Sequence, residues 1–311
     1  MNQIQRKSPF WSVAGPLLGY LAIQSAVQFM IQLVIETPYI IRAYRDILRS
    51  SRGTVPSMWE IRDSYEKALE PAFELITAHR VEILAAAALS TIILTGILFG
   101  RDRKLEQRIG AKVSEKAPLS KYWTVVVLGI AGGIAATCLM GMMQIAFYDE
   151  MYQETAQITY SAGFAAQLIG LGLVVPAAEE LMFRGILYKR FRERQSFWYS
   201  AVCSSLLFSF MHSSTTQVIY TFLLGLMLSY LYEKFGSLKA PALLHIVLNM
   251  GSVIFTEAGV FRWIAAEPMR MAGAVIAGAF LCSVMFVLIQ RMPGSVRAER
   301  PVDGSDRSDL F

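Results

Sequence analysis

Long apolar runs recur along the whole chain and are separated by short polar connections. A helix needs about 20 apolar residues to cross the hydrocarbon core of a bilayer. By that measure the pattern predicts about eight membrane-spanning helices, near residues 10–35, 81–100, 122–147, 163–187, 198–212, 215–232, 239–256 and 269–290. The sequence therefore predicts an all-α polytopic membrane protein, a bundle of about eight transmembrane helices.

The overall composition agrees with a membrane protein. Residues of the AVILMFWYC set make up 54% of the 311 residues and only 17% are charged, against roughly 25% charged residues in soluble domains. Disordered, collagenous and soluble globular proteins are thereby excluded. The net charge of +5 is concentrated in a few connections, which argues against a nucleic-acid partner and leaves the lipid bilayer as the expected surroundings.

Basic residues crowd two connections between the predicted spans. Residues 101–121 carry seven Lys and Arg and residues 189–194 carry four, whereas residues 149–154 carry three acids and no cation. Since short basic connections stay in the cytoplasm, both basic connections are expected there. Eight spans then place both termini in the cytoplasm, and the protein is expected to be a multi-pass protein of a bacterial plasma membrane.

Four regions follow from this organisation. Residues 1–120 hold two helices, an extramembrane segment at 36–80 and a basic loop; residues 121–257 form a core; 258–292 are the final transmembrane helix; and 293–311 are a disordered tail. Within 36–80, a helical pattern from Trp59 to Leu69 is expected to break at Pro71. This segment lies either at the membrane interface or in a plain extramembrane helix.

A polar stripe runs along the first predicted span. Gln24, Gln28 and Gln32 recur every four residues, so they share one helix face that is expected to contact other helices rather than lipid. Packing is the simpler interpretation of this stripe.

Ionisable residues interrupt three of the later spans, where each costs a few kcal/mol to insert and needs a reason to be there. The interruptions are Glu179, Glu180 and Arg184 in the first, His212 in the second, and His245 with Asn249 in the third. Glu180 and Arg184 are four residues apart and can pair, whereas Glu179 points about 100° away and can face a cavity. Pro176 is expected to bend or open the helix just before the acids.

Two imidazoles and one or two carboxylates can activate water directly, or can hold a divalent metal such as zinc that activates it. The candidate ligands for a metal are His212, His245 and Glu179. A single Glu–Arg pair is usually a structural ion pair, and a single buried histidine usually packs. The coincidence of two of the three histidines with an adjacent glutamate pair favours a hydrolytic site.

These residues form three motifs in a fixed order. The motifs are EExxxR at Glu179, Glu180 and Arg184, FxxxH at Phe208 and His212, and HxxxN at His245 and Asn249. The ordered triplet resembles the CAAX prenyl protease and bacteriocin-processing (CPBP, or Abi) family of intramembrane proteases. The resemblance covers roughly residues 125–257.

The resemblance implies a hydrolase that cleaves a peptide bond in a membrane-associated or prenylated peptide or protein substrate. Glu179 would be the base that activates water, with His212 and His245 completing the site. Glu180 and Arg184 would orient it, and Asn249 would stabilise the tetrahedral intermediate or bind the water. Phe208 would pack the site. Members of this family are often described as metalloproteases. The absence of an HExxH motif from this sequence favours a metal-free mechanism.

Two other function classes stay open at this stage. A non-catalytic membrane immunity or scaffold protein of the same family would keep the fold, although the presence of every motif residue favours catalysis. A small transporter or channel would also need buried Glu, Arg and His. No internal repeat of the kind typical of transporters is evident in the sequence.

Overall fold

The computed structural model describes residues 8–50, 55–108, 116–144 and 148–292, and within these ranges every regular element is a helix. The helices are α1 Pro9–Ser50, α2 Met58–Ala78, α3 Arg80–Arg108, α4 Trp123–Met142, α5 Glu150–Ser161, α6 Phe164–Arg192, α7 Phe197–Ser209, α8 Thr215–Phe235, α9 Lys239–Glu257, α10 Val260–Ala265 and α11 Pro268–Gln290. The predicted all-α membrane fold is confirmed. The predicted tail, residues 293–311, lies outside the described ranges.

Seven of the described helices are long and apolar enough to cross a membrane, namely α1, α3, α4 with the turn that precedes it, α6, α8, α9 and α11. The remaining predicted span, 198–212, corresponds to α7. Its 13 residues measure about 20 Å, less than the hydrocarbon thickness of about 30 Å. The apolar run continues beyond α7, but its last residues form a non-helical loop that carries His212.

Within the segment 36–80, residues 36–50 and 58–78 are helical. α1 continues to Ser50 and its 42 residues measure about 63 Å, so it extends well beyond a bilayer. α2 begins at a capping box formed by Ser57 and Glu60 and continues through Pro71. The predicted break at Pro71 is therefore wrong. One lost backbone hydrogen bond is tolerated there because α2 packs along α1 and α3, with Ala72 fully buried.

Three of the cations at 189–194 lie at the end of α6 and are ion-paired. The pairs are Lys189 with Glu106, Arg190 with Asp102, and Arg192 with Glu233, each with an N–O distance of 2.8 Å. Lys189 and Arg190 are buried. These cations, which the sequence pattern assigned to a connecting loop, therefore clamp the end of α6 to α3 and α8.

α7 and α8 form a tightly packed antiparallel pair beside α6. At Gly225 of α8, an added methyl group would lie 2.7 Å from Cβ of Ser205 on α7. Only glycine allows this approach without movement of the backbone, as is common where membrane helices cross closely. The close contact brings the carbonyl of Gly225 up to the polar residues of α6.

Candidate active site

The glutamate pair lies on a short α-helical section of α6 between two wider turns. Residues Val175–Met182 are α-helical, and they are flanked by the π-helical sections Gln167–Val174 and Phe183–Tyr188. Pro176 lies in the first turn of the α-helical section, where its missing N–H is tolerated. The opening predicted at Pro176 corresponds to the π-helical section Gln167–Val174, which precedes the glutamates. Wide turns of this kind are often found at functional sites.

Glu180 and Arg184 form the predicted ion pair, and both side chains are completely buried. Nη1 of Arg184 donates to Oε1 of Glu180 at 2.7 Å, and Nη2 donates to the carbonyl oxygen of Gly225 at 3.2 Å. These bonds offset part of the cost of burying the two charges, although Oε2 of Glu180 and Nε of Arg184 are buried without a hydrogen-bond partner. The pair therefore fixes the position of α8 against α6 as well as neutralising two charges.

His245 of α9 lies between the two glutamates. Its Nδ1 atom is 3.0 Å from Oε1 of Glu180, and its Nε2 atom is 3.8 Å from Oε2 of Glu179. An ionised carboxylate only accepts hydrogen bonds, so Nδ1 is the nitrogen that carries the proton in the neutral ring. Nε2 is then left facing Glu179, whose side chain is 15% exposed while that of Glu180 is fully buried.

Phe208 of α7 is the packing centre of the site, as the sequence predicted. Its ring lies 4.6 Å from the Arg184 guanidinium carbon and makes edge contacts with His212 and His245, with ring centroids 5.3 Å and 5.7 Å apart. Nδ1 of His212 lies 3.2 Å from the carbonyl oxygen of Phe208. Since a carbonyl only accepts, Nδ1 donates and Nε2 of His212 is the unprotonated nitrogen of the neutral ring.

Asn249, one turn after His245, contacts the backbone of α6. Its Nδ2 atom donates to the carbonyl oxygen of Leu171 at 3.1 Å, inside the π-helical turn that precedes the glutamates. The amide group has a second N–H and a carbonyl oxygen for other partners. Asn249 therefore holds α9 against α6 at the level of the site, a contact that its sequence spacing from His245 did not predict.

Asp149 is a site-supporting residue that the sequence pattern indicated only as a loop acid. Its carboxylate accepts hydrogen bonds from the backbone N–H of Tyr152 at 3.0 Å and of Thr216 at 2.8 Å. The pKa of Asp149 is lowered mainly by its hydrogen bonds with Thr216 and to a smaller extent by the hydrogen bond from Tyr152. Asp149 thus caps both α5 and α8 and fixes the loop that carries His212; its place just before a helix was the available signal.

The three side chains considered as zinc ligands, His212, His245 and Glu179, do not form a metal site in the described structure. Across residues 8–50, 55–108, 116–144 and 148–292, no group of three His, Cys, Asp or Glu side chains is arranged to hold a metal ion. In both histidines Nδ1 is hydrogen-bonded, so Nε2 is the nitrogen atom that a metal would contact. The described structure does not bring these two Nε2 atoms and the Glu179 carboxylate together around one ion.

Comparison with known proteins identifies the part of the chain that holds this site. Residues 161–251 match the Rce1-like family, described as type II CAAX prenyl endopeptidase Rce1-like. YdiL of Bacillus subtilis (strain 168), named as a candidate membrane peptidase, is 25% identical over 114 residues, which are 37% of this chain and 46% of the relative. An uncharacterized 24.3 kDa protein of Escherichia coli is 33% identical over 93 residues, 28% of this chain and 43% of that protein.

The chain spans less than half the length of either relative in these matches. No solved structure matches it. The matched segment contains the EExxxR, FxxxH and HxxxN motifs in full. Residues 161–251 are thus similar to the Rce1-like CAAX prenyl endopeptidases, and the resemblance predicted from the three motifs is confirmed.

Proposed function

We propose that this protein is an intramembrane peptidase that hydrolyses a peptide bond in a membrane-associated peptide or protein. The observation that carries the proposal is the position of His245 between Glu179 and Glu180 inside membrane-spanning helices. The description of the family matched by residues 161–251 and the name of the Bacillus relative support a peptidase.

Glu179 is the proposed general base. The 3.8 Å separation between its Oε2 atom and Nε2 of His245 is too long for a direct hydrogen bond, and a water bonded to both groups is a suitable nucleophile. The water oxygen attacks the scissile carbonyl carbon while Glu179 takes its proton. The same proton then passes to the leaving nitrogen as the C–N bond breaks.

The surrounding residues have positioning or electrostatic roles in this mechanism. Glu180 holds the tautomer and orientation of His245 through its contact with Nδ1, and Arg184 balances the charge of Glu180. The second N–H of Asn249 stabilises the oxyanion, and the unprotonated Nε2 atom of His212 accepts a hydrogen bond from the water or from the substrate amide, which helps to orient it.

The depth of the site supports a lipophilic substrate, prenylated or otherwise. Glu179 is 15 residues from the start of α6 and 13 residues from its end, which places it about 20 Å along the helix from either end. A peptide bond reaches that depth most easily when its chain carries an apolar segment or a lipid.

The proposed location is a bacterial plasma membrane, with both termini in the cytoplasm. α7 begins just after the basic residues at the end of α6, and the loop that follows α7 leads to Thr216, which is bonded to Asp149 of the acidic connection. α7 and this loop together therefore connect the basic side of the bundle to the acidic side. Together with the seven long helices described above, α7 and its loop give eight crossings. An even number of crossings leaves both termini on the same side of the membrane.

The test compares the wild type with Glu179→Gln in membranes of the native host at matched protein levels, by mapping new protein termini with mass spectrometry. Glu74→Gln, an exposed carboxylate of α2, is the matched control. Termini that disappear in Glu179→Gln and persist in Glu74→Gln would support the peptidase and give its substrates. Identical termini in all three strains would instead favour the non-catalytic immunity or scaffold role.

A chelator separates the two mechanisms once a cleaved substrate is known. Purified protein is assayed on that peptide with and without a strong zinc chelator. Unchanged cleavage is the expected result for water activated by Glu179 and His245. Activity that is lost and then restored by zinc would overturn the metal-free mechanism while leaving the peptidase intact.

A further inference from the structure

α5 lies across the acidic side of the bundle, the side on which α6 begins. It touches α3 and α8, and its last turn is joined to α9, where the hydroxyl oxygens of Tyr160 and Ser252 are 2.9 Å apart. At its other end, the Asp149 carboxylate accepts a hydrogen bond at 2.8 Å from the backbone N–H of Thr216, the second residue of α8. α5 therefore bridges α8 and α9.

The attachment points of α5 lie close to the candidate site along both helices. Ser252 is seven residues after His245, so the two share one face of α9 and are about 10 Å apart along it. Asn249, between them on the same face, contacts α6. Thr216 lies four residues after His212, in the turn that leads into α8. A peptide that approaches the two histidines from the acidic side therefore passes α5.

Polar contacts rather than a buried apolar face hold α5 in this position. None of its 12 residues is buried. The residues of its inward face are half-buried, namely Tyr152, Thr155, Ala156 and Thr159. A helix packed permanently on a bundle buries an apolar stripe, and elements with few buried apolar contacts open at a small cost in free energy. α5 can therefore leave the bundle without exposing a hydrophobic core.

A short fixed link joins α5 to α6. Its two residues, Ala162 and Gly163, are not helical. The buried side chain of Gln167 donates from Nε2 to the carbonyl oxygens of Ala162 at 2.7 Å and of Tyr160 at 3.4 Å. Because these bonds fix the link, the contacts that break when α5 turns about it are those of the Tyr160 hydroxyl and the Asp149 carboxylate.

We propose that α5 is a lid over the substrate entrance, which opens on the acidic side of the bundle. The Tyr160–Ser252 and Asp149–Thr216 hydrogen bonds hold the lid closed, and a peptide reaches Glu179 after both have broken. That the entering molecule is a peptide rests on the proposed function. The movement of α5 does not, and it adds residues 149–160, outside the matched residues 161–251, to the site.

Thiol labelling measures the opening of α5 without any assay of activity. Thr155→Cys, on the inward face, is introduced into the full chain after the three native cysteines have been replaced by serine, and its reaction with a water-soluble maleimide is followed. Tyr160→Phe removes the hydroxyl and keeps the ring. Since it removes one hydrogen bond of the closed lid, it is expected to raise the labelling rate about 2- to 10-fold.

A cysteine on the other face of α5 is the matched control. Gln157 is exposed, and Tyr160→Phe is expected to leave the labelling rate of Gln157→Cys unchanged. Ser252→Ala is expected to raise the rate at Thr155→Cys as much as Tyr160→Phe does, and the double variant no further, because both changes remove the same hydrogen bond.

Cleavage of a substrate found by terminus mapping then tests the entrance. Tyr160→Phe is expected to lower KM by the factor by which it raises the labelling rate, with little change in kcat, because a larger open fraction increases the apparent affinity. Asp149→Cys with Thr216→Cys, joined by oxidation, is expected to abolish cleavage until the disulfide is reduced. The reduced form of the same protein is the control.

The outcomes separate the lid from the proposed function. A labelling rate at Thr155→Cys that is the same with and without the Tyr160 hydroxyl would overturn the lid, whether or not the protein is a peptidase. Faster labelling with an unchanged KM, or full cleavage by the oxidised protein, would overturn the entrance. Faster labelling in a protein whose membranes show no Glu179-dependent cleavage would refute the peptidase and leave the movement of α5 standing.

Discussion

Nδ1 of His245 lies 3.0 Å from Oε1 of Glu180, the same oxygen atom that accepts the hydrogen bond of Arg184. One fully buried carboxylate oxygen therefore orients an imidazole from α9 and a guanidinium from its own helix. Glu179, its neighbour in sequence, lies at the partly exposed edge of the cluster, where its Oε2 atom is 3.8 Å from the other nitrogen of the same ring. Successive helical residues point about 100° apart, so the two adjacent acids face different surroundings and have different roles.

The first prediction is that loss of the Glu180 charge destabilises the fold while loss of the Glu179 charge does not. Glu180→Gln leaves Arg184 buried without its counter-charge, which costs about 3–5 kcal/mol when one partner of a buried pair is removed. Thermal unfolding in detergent, with Glu179→Gln as the matched variant, measures the difference. Equal midpoints for the two variants would contradict the assignment of separate tasks.

Gly225→Ala is expected to push α7 and α8 apart. The added methyl group would lie 2.7 Å from both Cβ and Oγ of Ser205, and overpacking of this kind costs about 1–3 kcal/mol. The carbonyl of Gly225 would also move away from Arg184. The control is Gly96→Ala in α3, where a methyl group meets no atom within 4 Å; a similar loss of stability in both variants would refute the explanation.

The ion pair of Asp102 and Arg190 is expected to contribute far more than an exposed pair of the same type. Side chains of this pair are 5% and 6% exposed, whereas those of Asp63 and Lys67 are 46% and 75% exposed. Asp102→Asn should cost about 3 kcal/mol or more, and Asp63→Asn at most about 0.5 kcal/mol. Urea or thermal unfolding of the two variants in detergent gives the comparison directly.

The stabilisation by Asp149 is expected to disappear in acid. Its pKa lies below the ordinary value of 3.8 because the amides of Thr216 and Tyr152 donate to the carboxylate. A lowered pKa gives stability that is present above pH 3.8 and is lost as the pH falls through the folded-state value. Asp149→Ala should therefore have a lower thermal midpoint than the wild type at neutral pH, and the gap should close in strong acid.

The control for this prediction is Glu154→Gln on the exposed face of α5, which should leave the neutral-pH midpoint unchanged. Asp149→Asn should fall between the wild type and Asp149→Ala, since an amide keeps one acceptor oxygen for two backbone donors. A gap that stays constant down to the lowest accessible pH would show that the carboxylate charge is not responsible.

The sequence was sufficient for features that depend on one helix. Apolar length predicted the spanning helices, and the four-residue spacing of Glu180 and Arg184 predicted their pair, because both follow from helical geometry alone. The length of the helix predicted at 198–212 was overestimated, because an apolar run does not reveal where a helix ends. Pro71 was taken as a break because the packing of α2 that tolerates it is a tertiary contact.

Contacts between helices were beyond the reach of the sequence. The meeting of His245 with Glu180 joins residues 65 positions apart, and no spacing rule connects them. Lys189 and Arg190 were interpreted as loop cations, since composition cannot distinguish a charge facing headgroups from one paired with Glu106 or Asp102. The three-motif resemblance nevertheless named Arg184, His212 and His245, whose side chains contact Phe208 in the structure.

The placement of Glu180 and Arg184 on one face of a single helix also has a consequence during biosynthesis. Each charge alone costs a few kcal/mol to transfer from the translocon to lipid. Because the pair closes within α6 itself, this segment can enter the bilayer already neutralised, before α8 and α9 have been synthesised. His245 lies on α9 and is synthesised later, so it joins a charge pair that has already formed within α6.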